Sequence, residues 1–313
     1  MRQLMEGAAT PAQIGGLLVA LRMKGESVDE IIGAVRAMRA HATAVHPRAA
    51  VVVDTCGTGG DRRGTFNIST AAALIAAAAG LTVAKHGNRA MSGSVGGADV
   101  LEALGVKIEL PAERVAACID EVGIGFLFAP VFHPAMRHAA GPRRELGLRT
   151  IFNLLGPLSN PAGARHQLVG VYAPEWTEPL AQALGRLGSL HALVVHGEDG
   201  LDEISLAAPT QLSEWKDGVL RTYRITPEEL GLQRCHAADL DGGDRDTAAR
   251  LVRGILAGET GPRTDIAVLN AAAAICVAGR APSIAAGMAL ARSAVDSGGA
   301  RQKLAQLVEF TNR

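Results

Sequence analysis

The chain has 313 residues with 31 basic and 31 acidic side chains, so its formal net charge is +0 and no overall basic field points to nucleic acid. Hydrophobic residues make up 48%, enough for one large domain or two modest ones, while aromatics at 3% are too few to build base-stacking platforms. Four cysteines (Cys56, Cys118, Cys235, Cys276) show neither a CxxC pair nor metal-ligand spacing, so reduced and mostly buried thiols are expected. The N-terminus lacks a basic-then-apolar signal pattern, and the longest alanine-rich run, Ala71 to Ala79, is too short to span a bilayer. A cytoplasmic protein with no membrane or nucleic-acid partner is expected.

Met1 to Ala42 reads as helices. Thr10 is a cap with Pro11 in the first turn, and Ile14, Leu17, Leu18 and Leu21 repeat at helical spacing. Ser27-Val28-Asp29-Glu30 is a capping box that opens a second helix. After Pro47, the run Ala49 to Val53 reads as a buried parallel strand. It breaks into Gly57-Thr58-Gly59-Gly60-Asp61, after which Asn67-Ile68-Ser69-Thr70 offers caps for a helix through Ala79. Glycines admit close approach of backbone to a ligand, and free N–H groups at a helix start favour an anion, so this reads as a phosphate or diphosphate cradle. GTGGD is neither a Walker loop nor a dinucleotide fingerprint, and Cys56 beside it has no base placed near it.

A second strand, Leu81 to Ala84, runs into Lys85-His86-Gly87-Asn88-Arg89. Carboxyl ends of strands are where ligands bind in open α/β sheets, so this basic loop strengthens the anion reading. Ser92, Gly93, Ser94, Gly96 and Gly97 follow, and a helix opens near Ala98. Pro111 to Val122 reads as a helix and Gly123 to Phe128 as a strand. His133 and His138 fit either a general base or a structural residue, with the structural reading preferred. Arg143, Arg144 and Arg149 form either a solvated face or an anion contact. His166 to Tyr172 and Leu190 to His196 flank a helix from Pro174 to Leu187, a βαβ unit. Glu198, Asp199, Asp202 and Glu203 then crowd one loop, which is either an exposed acidic turn or an Mg²⁺ site beside a diphosphate. Thr210 to Trp215 and Val219 to Ile225 flank Asp217-Gly218, a hairpin signal. Helices follow from Asp246 onward, with Asp265 to Val277 reading as fully buried.

GTGGD, FNIST, KHGNRAMS, the stretch Pro142 to Ala162 and LDEIS (Leu201 to Ser205), in this order and spacing, closely resemble the anthranilate phosphoribosyltransferase family. The resemblance implies an α/β fold similar to that of pyrimidine nucleoside phosphorylases. Its mostly parallel central sheet is flanked by helices, beside a smaller all-helical domain. The expected division is a helical domain at residues 1–46, with about 135–162 packing back onto it. Residues 47–134 and 163–313 would form the donor-binding α/β domain. The implied reaction transfers the 5-phosphoribosyl group of phosphoribosyl diphosphate to the amine of anthranilate, with Mg²⁺ as cofactor. A homodimer through the helical domain is also implied.

Carried onto this chain, the family's donor site takes in Gly57, Gly60, Asp61 and Thr65, then Asn67, Ile68, Ser69 and Thr70. It continues through Lys85, His86, Gly87, Asn88 and Arg89 to Ser92 and Gly97. Anthranilate would meet Gly57, Asn88 and Arg143, whose guanidinium fork fits a carboxylate. Ser69, Asp202 and Glu203 would hold Mg²⁺, while Glu198 and Asp199 fall outside the pattern. No acid–base residue is assigned, because an aromatic amine attacks as it stands. Three other readings stay open: a transferase with another aromatic acceptor, a pyrimidine nucleoside phosphorylase, and a non-catalytic nucleic-acid-binding relative. The family commonly reads Ser-Ser where this chain has Ser92-Gly93. Gly93→Ser should therefore lower the Michaelis constant for the donor by a factor of about two to ten, the worth of one hydrogen bond. An unchanged constant in steady-state kinetics would contradict a missing hydroxyl contact.

Overall fold

The structure, a computed structural model, describes residues 1–61, 63–90 and 95–313. Ser92 and Gly93 thus lie outside the described residues. Seven strands form one sheet: β1 Val53–Gly57, β2 Val83–Gly87, β3 Ile124–Phe128, β4 His166–Gly170, β5 His191–Gly197, β6 Thr210–Lys216 and β7 Val219–Ile225. Their order is β3-β2-β1-β4-β5-β6-β7. The first five in space run parallel, and β6 and β7 are antiparallel additions at one edge. The hairpin between β6 and β7 turns at Asp217 and Gly218, both with left-handed φ (51° and 81°), as a type I′ turn requires.

Parallel strands covered by helices on both faces must be apolar on both faces, and these are. Along β4 and β5, Leu168, Leu193 and Val195 join one apolar cluster, while Val169, Ala192 and Val194 join another. The first cluster holds the helices Ile68–Ala78 and Pro262–Val277. Their runs of alanine, buried from Ala71 to Ala77 and from Ala271 to Ala274, let backbones approach closely. The second cluster gathers Ile14, Leu18, Ile31 and Val35 of the N-terminal helices with Ala139, Ile151, Phe152 and Leu155. The segment after β3 therefore packs back onto the N-terminal helices, which are capped by Thr10 and Ser27 in full capping boxes. No helix among the described residues is long and apolar enough to cross a membrane.

Two strands sit later than their apolar runs predict. Strand β1 starts at Val53, where the expected run ends, and Val51 is 43% exposed. Strand β2 extends through Lys85, His86 and Gly87, which the sequence places beyond its end. In both cases the sheet buries polar residues that have partners within it. Asp54 Oδ1, for instance, accepts the His86 N–H at 3.0 Å. Hydrophobicity alone cannot see such a strand. The alanine-rich helix also begins earlier, at Ile68, with Asn67 before it in left-handed backbone (φ 68°) and making no side-chain cap.

Gly57 and Gly170 face each other in the β1–β4 ladder, and both lie against Asp202. A Cβ on Gly170 would stand 1.6 Å from the Asp202 carbonyl oxygen, a backbone atom that cannot step aside cheaply. Gly170→Ala should thus cost about 1–3 kcal/mol or more, as overpacking does, and lower the unfolding midpoint. A wild-type midpoint in urea or heat would contradict this contact.

Candidate active site at the β1–β4 crevice

From β1 the chain builds outward to β2 and β3, then returns to place β4 on the other side of β1. Such a reversal opens a crevice at the carboxyl ends of the two central strands. Across it lies the loop that follows β5. Asp202 Oδ2 accepts the Gly59 N–H at 2.9 Å, and a Cβ on Gly57 would come within 2.5 Å of the same oxygen. The acidic loop and the glycine-rich loop are thereby joined. Burial, reinforced by Asp61 and Glu203, pushes the Asp202 carboxyl well above its usual range. Burial likewise pushes Glu203 up to about 8, with Lys85 and the N–H and hydroxyl of Ser69 working against the shift. The other two acids of the run point to structural duties: Glu198 pairs with Arg224 at 3.0 Å and Asp199 accepts the Ser205 hydroxyl at 2.8 Å.

Two adjacent desolvated carboxylates with a hydroxyl beside them fit a hard cation. Among the described residues no group of three or more His, Cys, Asp or Glu side chains could hold a metal alone. Asp202, Glu203 and the Ser69 hydroxyl instead make an open set, suited to an ion that completes its shell with ligand and water oxygens.

Beneath this surface lies a polar floor. Lys85 is only 3% exposed, and its Nζ donates to Thr55 O at 2.6 Å and to Ser69 Oγ at 3.1 Å. Burial lowers the ammonium's pKa, and Asp54 most strongly opposes this. Lys85 thus supplies its charge from below, whereas its expected place was an open strand end. Cys56 is buried, and burial pushes its thiol well up, which disfavours the thiolate a nucleophile needs.

The remaining expected donor residues divide. Asn67 Oδ1 accepts the Thr70 hydroxyl, and Gly97 lies over both, since a Cβ there would sit 3.3 Å from Thr70 Oγ1. These three residues come together at the mouth of the helix Ile68–Ala78. Ile68 points its side chain into the core, leaving only its backbone available. Thr65 bridges to Asp241. His86 turns its Nδ1 to Gly156 O at 3.2 Å, and its ring lies 5.1 Å from that of His133. Burial pushes His86 down to about 3 and His133 to about 4, so both rings are neutral at physiological pH. Gly87 packs on Phe126, and exposed Asn88 accepts the Arg89 N–H through Oδ1 at 2.8 Å. Arg89 forks onto Glu102 at 2.8 and 2.9 Å and reaches Asp99 at 3.1 Å. Its charge is already matched by protein acids.

Arg143 contrasts with Arg89. Its guanidinium lies 5.1 Å from the Phe152 ring centroid, and burial lowers its pKa with no acid among the described residues opposing the shift. A half-buried fork without a counter-ion is suited to a carboxylate ligand. Arg144 is exposed. Arg149, which the motifs left without a role, reaches the glycine-rich loop: its Nη2 donates to Gly60 O and its guanidinium lies 4.3 Å from the Tyr172 ring centroid. No spacing rule points to this contact. The crowding of arginines after residue 142 was the only signal.

Residues 49–301 match the model of the glycosyl transferase family a/b domain, and residues 1–42 that of the glycosyl transferase family helical bundle domain. An anthranilate phosphoribosyltransferase of Symbiobacterium thermophilum is 56% identical over 313 residues, covering 100% of this chain and 92% of the relative. The crystal structure of anthranilate phosphoribosyltransferase from Thermus thermophilus matches with a TM-score of 0.95 at 50% identity, covering 100% of this chain and 93% of that one. The Saccharomyces cerevisiae enzyme in complex with PRPP and Mg matches with a TM-score of 0.90 at 28% identity, covering 99% of this chain and 90% of its own. With glycosyl transferase models over most of its length and relatives this close, the chain belongs to the anthranilate phosphoribosyltransferase family.

Proposed function

We propose that the β1–β4 crevice is where this chain, a phosphoribosyltransferase of tryptophan biosynthesis, joins C1 of phosphoribosyl diphosphate to the amine of anthranilate. The C–O bond to diphosphate breaks as the C–N bond forms, and the amine proton leaves to solvent. The observation that carries the reading is the joining of Asp202 to the glycine-rich loop across the ends of β1 and β4. It supports the reading by bringing acids that would hold a cation beside a loop whose backbone amides would meet an anion.

The positive charge that develops on the ribose calls for a stabilised leaving group and alignment rather than a protein nucleophile. Gly57, Gly60 and Asp61 would line the diphosphate through their backbone. Asn67, Ser69 and Thr70, with Thr65 and Gly97 beside them, would hold phosphate or ribose oxygens. Lys85 would supply charge from below, and His86, Gly87 and Asn88 would contribute mainly backbone. Arg89, paired with Glu102, would shape the loop more than bind. Arg143 would take the anthranilate carboxylate, with Asn88 and Gly57 beside the ring. Mg²⁺ held by Ser69, Asp202 and Glu203 would neutralise the leaving diphosphate, in line with the yeast relative. We assign no acid–base residue. The division into a helical lobe (1–46, with about 135–162) and an α/β lobe belongs to the same proposal, as do a homodimer through the helical lobe and a cytoplasmic location.

Loss of anthranilate fluorescence on mixing enzyme, phosphoribosyl diphosphate and Mg²⁺ tests the reading. Donor- and Mg²⁺-dependent loss is expected, and it should vanish in Asp202→Ala/Glu203→Ala. Persistence in the double variant would remove the metal role and leave the transfer. No loss with folded protein would move the reading to another acceptor or to a binding protein.

Stability supplies an independent check. Glu203 has its folded pKa raised from 4.5 to about 8, so its stabilising contribution is fully present below the unfolded value and is lost as pH climbs toward 8. Metal-free wild type should therefore lose thermal stability across that window relative to Glu203→Gln. Mg²⁺ favours the ionised carboxylate and should restore more stability at the alkaline end. Parallel pH profiles for the two proteins would show that Glu203 is not held in its neutral form.

A further inference from the structure

The glycine-rich loop offers few free amides. The Thr58 N–H donates to Gly170 O at 2.9 Å and the Gly59 N–H to Asp202 Oδ2 at 2.9 Å, so both serve the protein. Those of Gly60 and Asp61 make no hydrogen bond among the described residues. The second of these depends on how the Gly60–Asp61 peptide is turned. A trans peptide is planar, with its C=O and N–H on opposite sides. Because Gly60 O accepts from Arg149 Nη2, the Asp61 N–H must face away from Arg149.

The loop does not choose this orientation for itself. Gly59 and Gly60 both have left-handed φ (64° and 78°), and glycine is free to turn the following peptide either way. With the peptide reversed, a carbonyl oxygen would meet the anion in place of an N–H. Arg149 is in turn held in place. Its guanidinium stacks on Tyr172, whose own N–H donates to Thr58 Oγ1 at 3.0 Å. Arg149, Tyr172, Thr58 and Gly60 therefore close a ring of contacts around the loop. Arg149 also stands on the segment that leads into Ile151 and Phe152, which pack with the N-terminal helices. The orientation of the loop amide is thus tied to the packing of the helical lobe.

We propose that Arg149 is a positioning residue that presets the Gly60–Asp61 peptide, so that the Asp61 N–H is presented to the diphosphate of the donor. The inference rests on reading the crevice as the donor site. It separates Arg149 from Arg143: the first acts on the donor through the loop, the second on the acceptor directly.

Arg149→Met and Arg149→Lys test this with two readouts. Methionine keeps the length and apolar packing but has no donor, while lysine keeps one donor for Gly60 O. In Arg149→Met the Michaelis constant for phosphoribosyl diphosphate and the dissociation constant for inorganic diphosphate with Mg²⁺ should both rise about ten-fold. The constant for anthranilate should stay within about two-fold, and Arg149→Lys should recover much of the loss. Hydrogen exchange should show the 57–61 amides less protected by diphosphate in Arg149→Met than in wild type. Donor and diphosphate constants within about two-fold of wild type would overturn the proposal, as would a change confined to anthranilate. If wild-type protein transfers nothing, the functional reading fails, yet the diphosphate titration still decides the role of Arg149.

Discussion

Asp202 resting on two glycines is the contact on which the site depends. Its carbonyl oxygen crowds Gly170 and its carboxylate crowds Gly57, and these two are partners at the ends of the central strands. Only backbone without side chains leaves room for an acidic loop to cross there. The crossing brings a carboxylate within hydrogen-bonding distance of the Gly59 amide and into a region of poor hydration. One steric requirement thereby sets both the shape of the crevice and its charge.

That charge must be balanced from within. Asp54 lies under the crevice as a fully buried acid, and Asp202 and Glu203 are partly desolvated above it. Lys85 is the cation buried with them, fixed to Thr55 O and the Ser69 hydroxyl. Isolated buried charges are costly, and mutual pairing offsets only part of the cost. Burial shifts both acids of the loop upward, and Lys85 opposes that shift most strongly at Glu203.

The helical lobe contributes more than scaffold. The stretch from Arg137 to Leu158 packs with the N-terminal helices, holds Arg143 against Phe152 and sends Arg149 to the glycine-rich loop that follows β1. Aromatic faces hold both guanidinium groups: Phe152 for one and Tyr172 for the other. Stacking fixes a long side chain without consuming its hydrogen-bond donors. Arg89 shows the opposite case. Glu102 and Asp99 take up its donors, so a residue embedded in a binding motif can serve mainly its own loop.

Much of this was legible in the chain. Capping boxes at Thr10 and Ser27, the βαβ unit from His166, the Asp217-Gly218 turn and the buried alanine helices all follow local rules, because caps, turns and periodicity act over a few residues. The glycine loop, the basic loop and the Asp202-Glu203 pair were legible as motifs, together with the family that carries them in that order. The strand starts at Val53 and the strand placement of Lys85 and His86 were not, since partnered polar residues inside a sheet look like loop in a hydropathy pattern. Nor were the meeting of Gly59 with Asp202, 143 residues apart, and the reach of Arg149 to Gly60. By itself the sequence determined which chemical groups are available and on which local elements they stand. Tertiary structure alone decided which of them are neutralised, buried or left open for a ligand, because those properties depend on neighbours that strand order, not chain spacing, brings together.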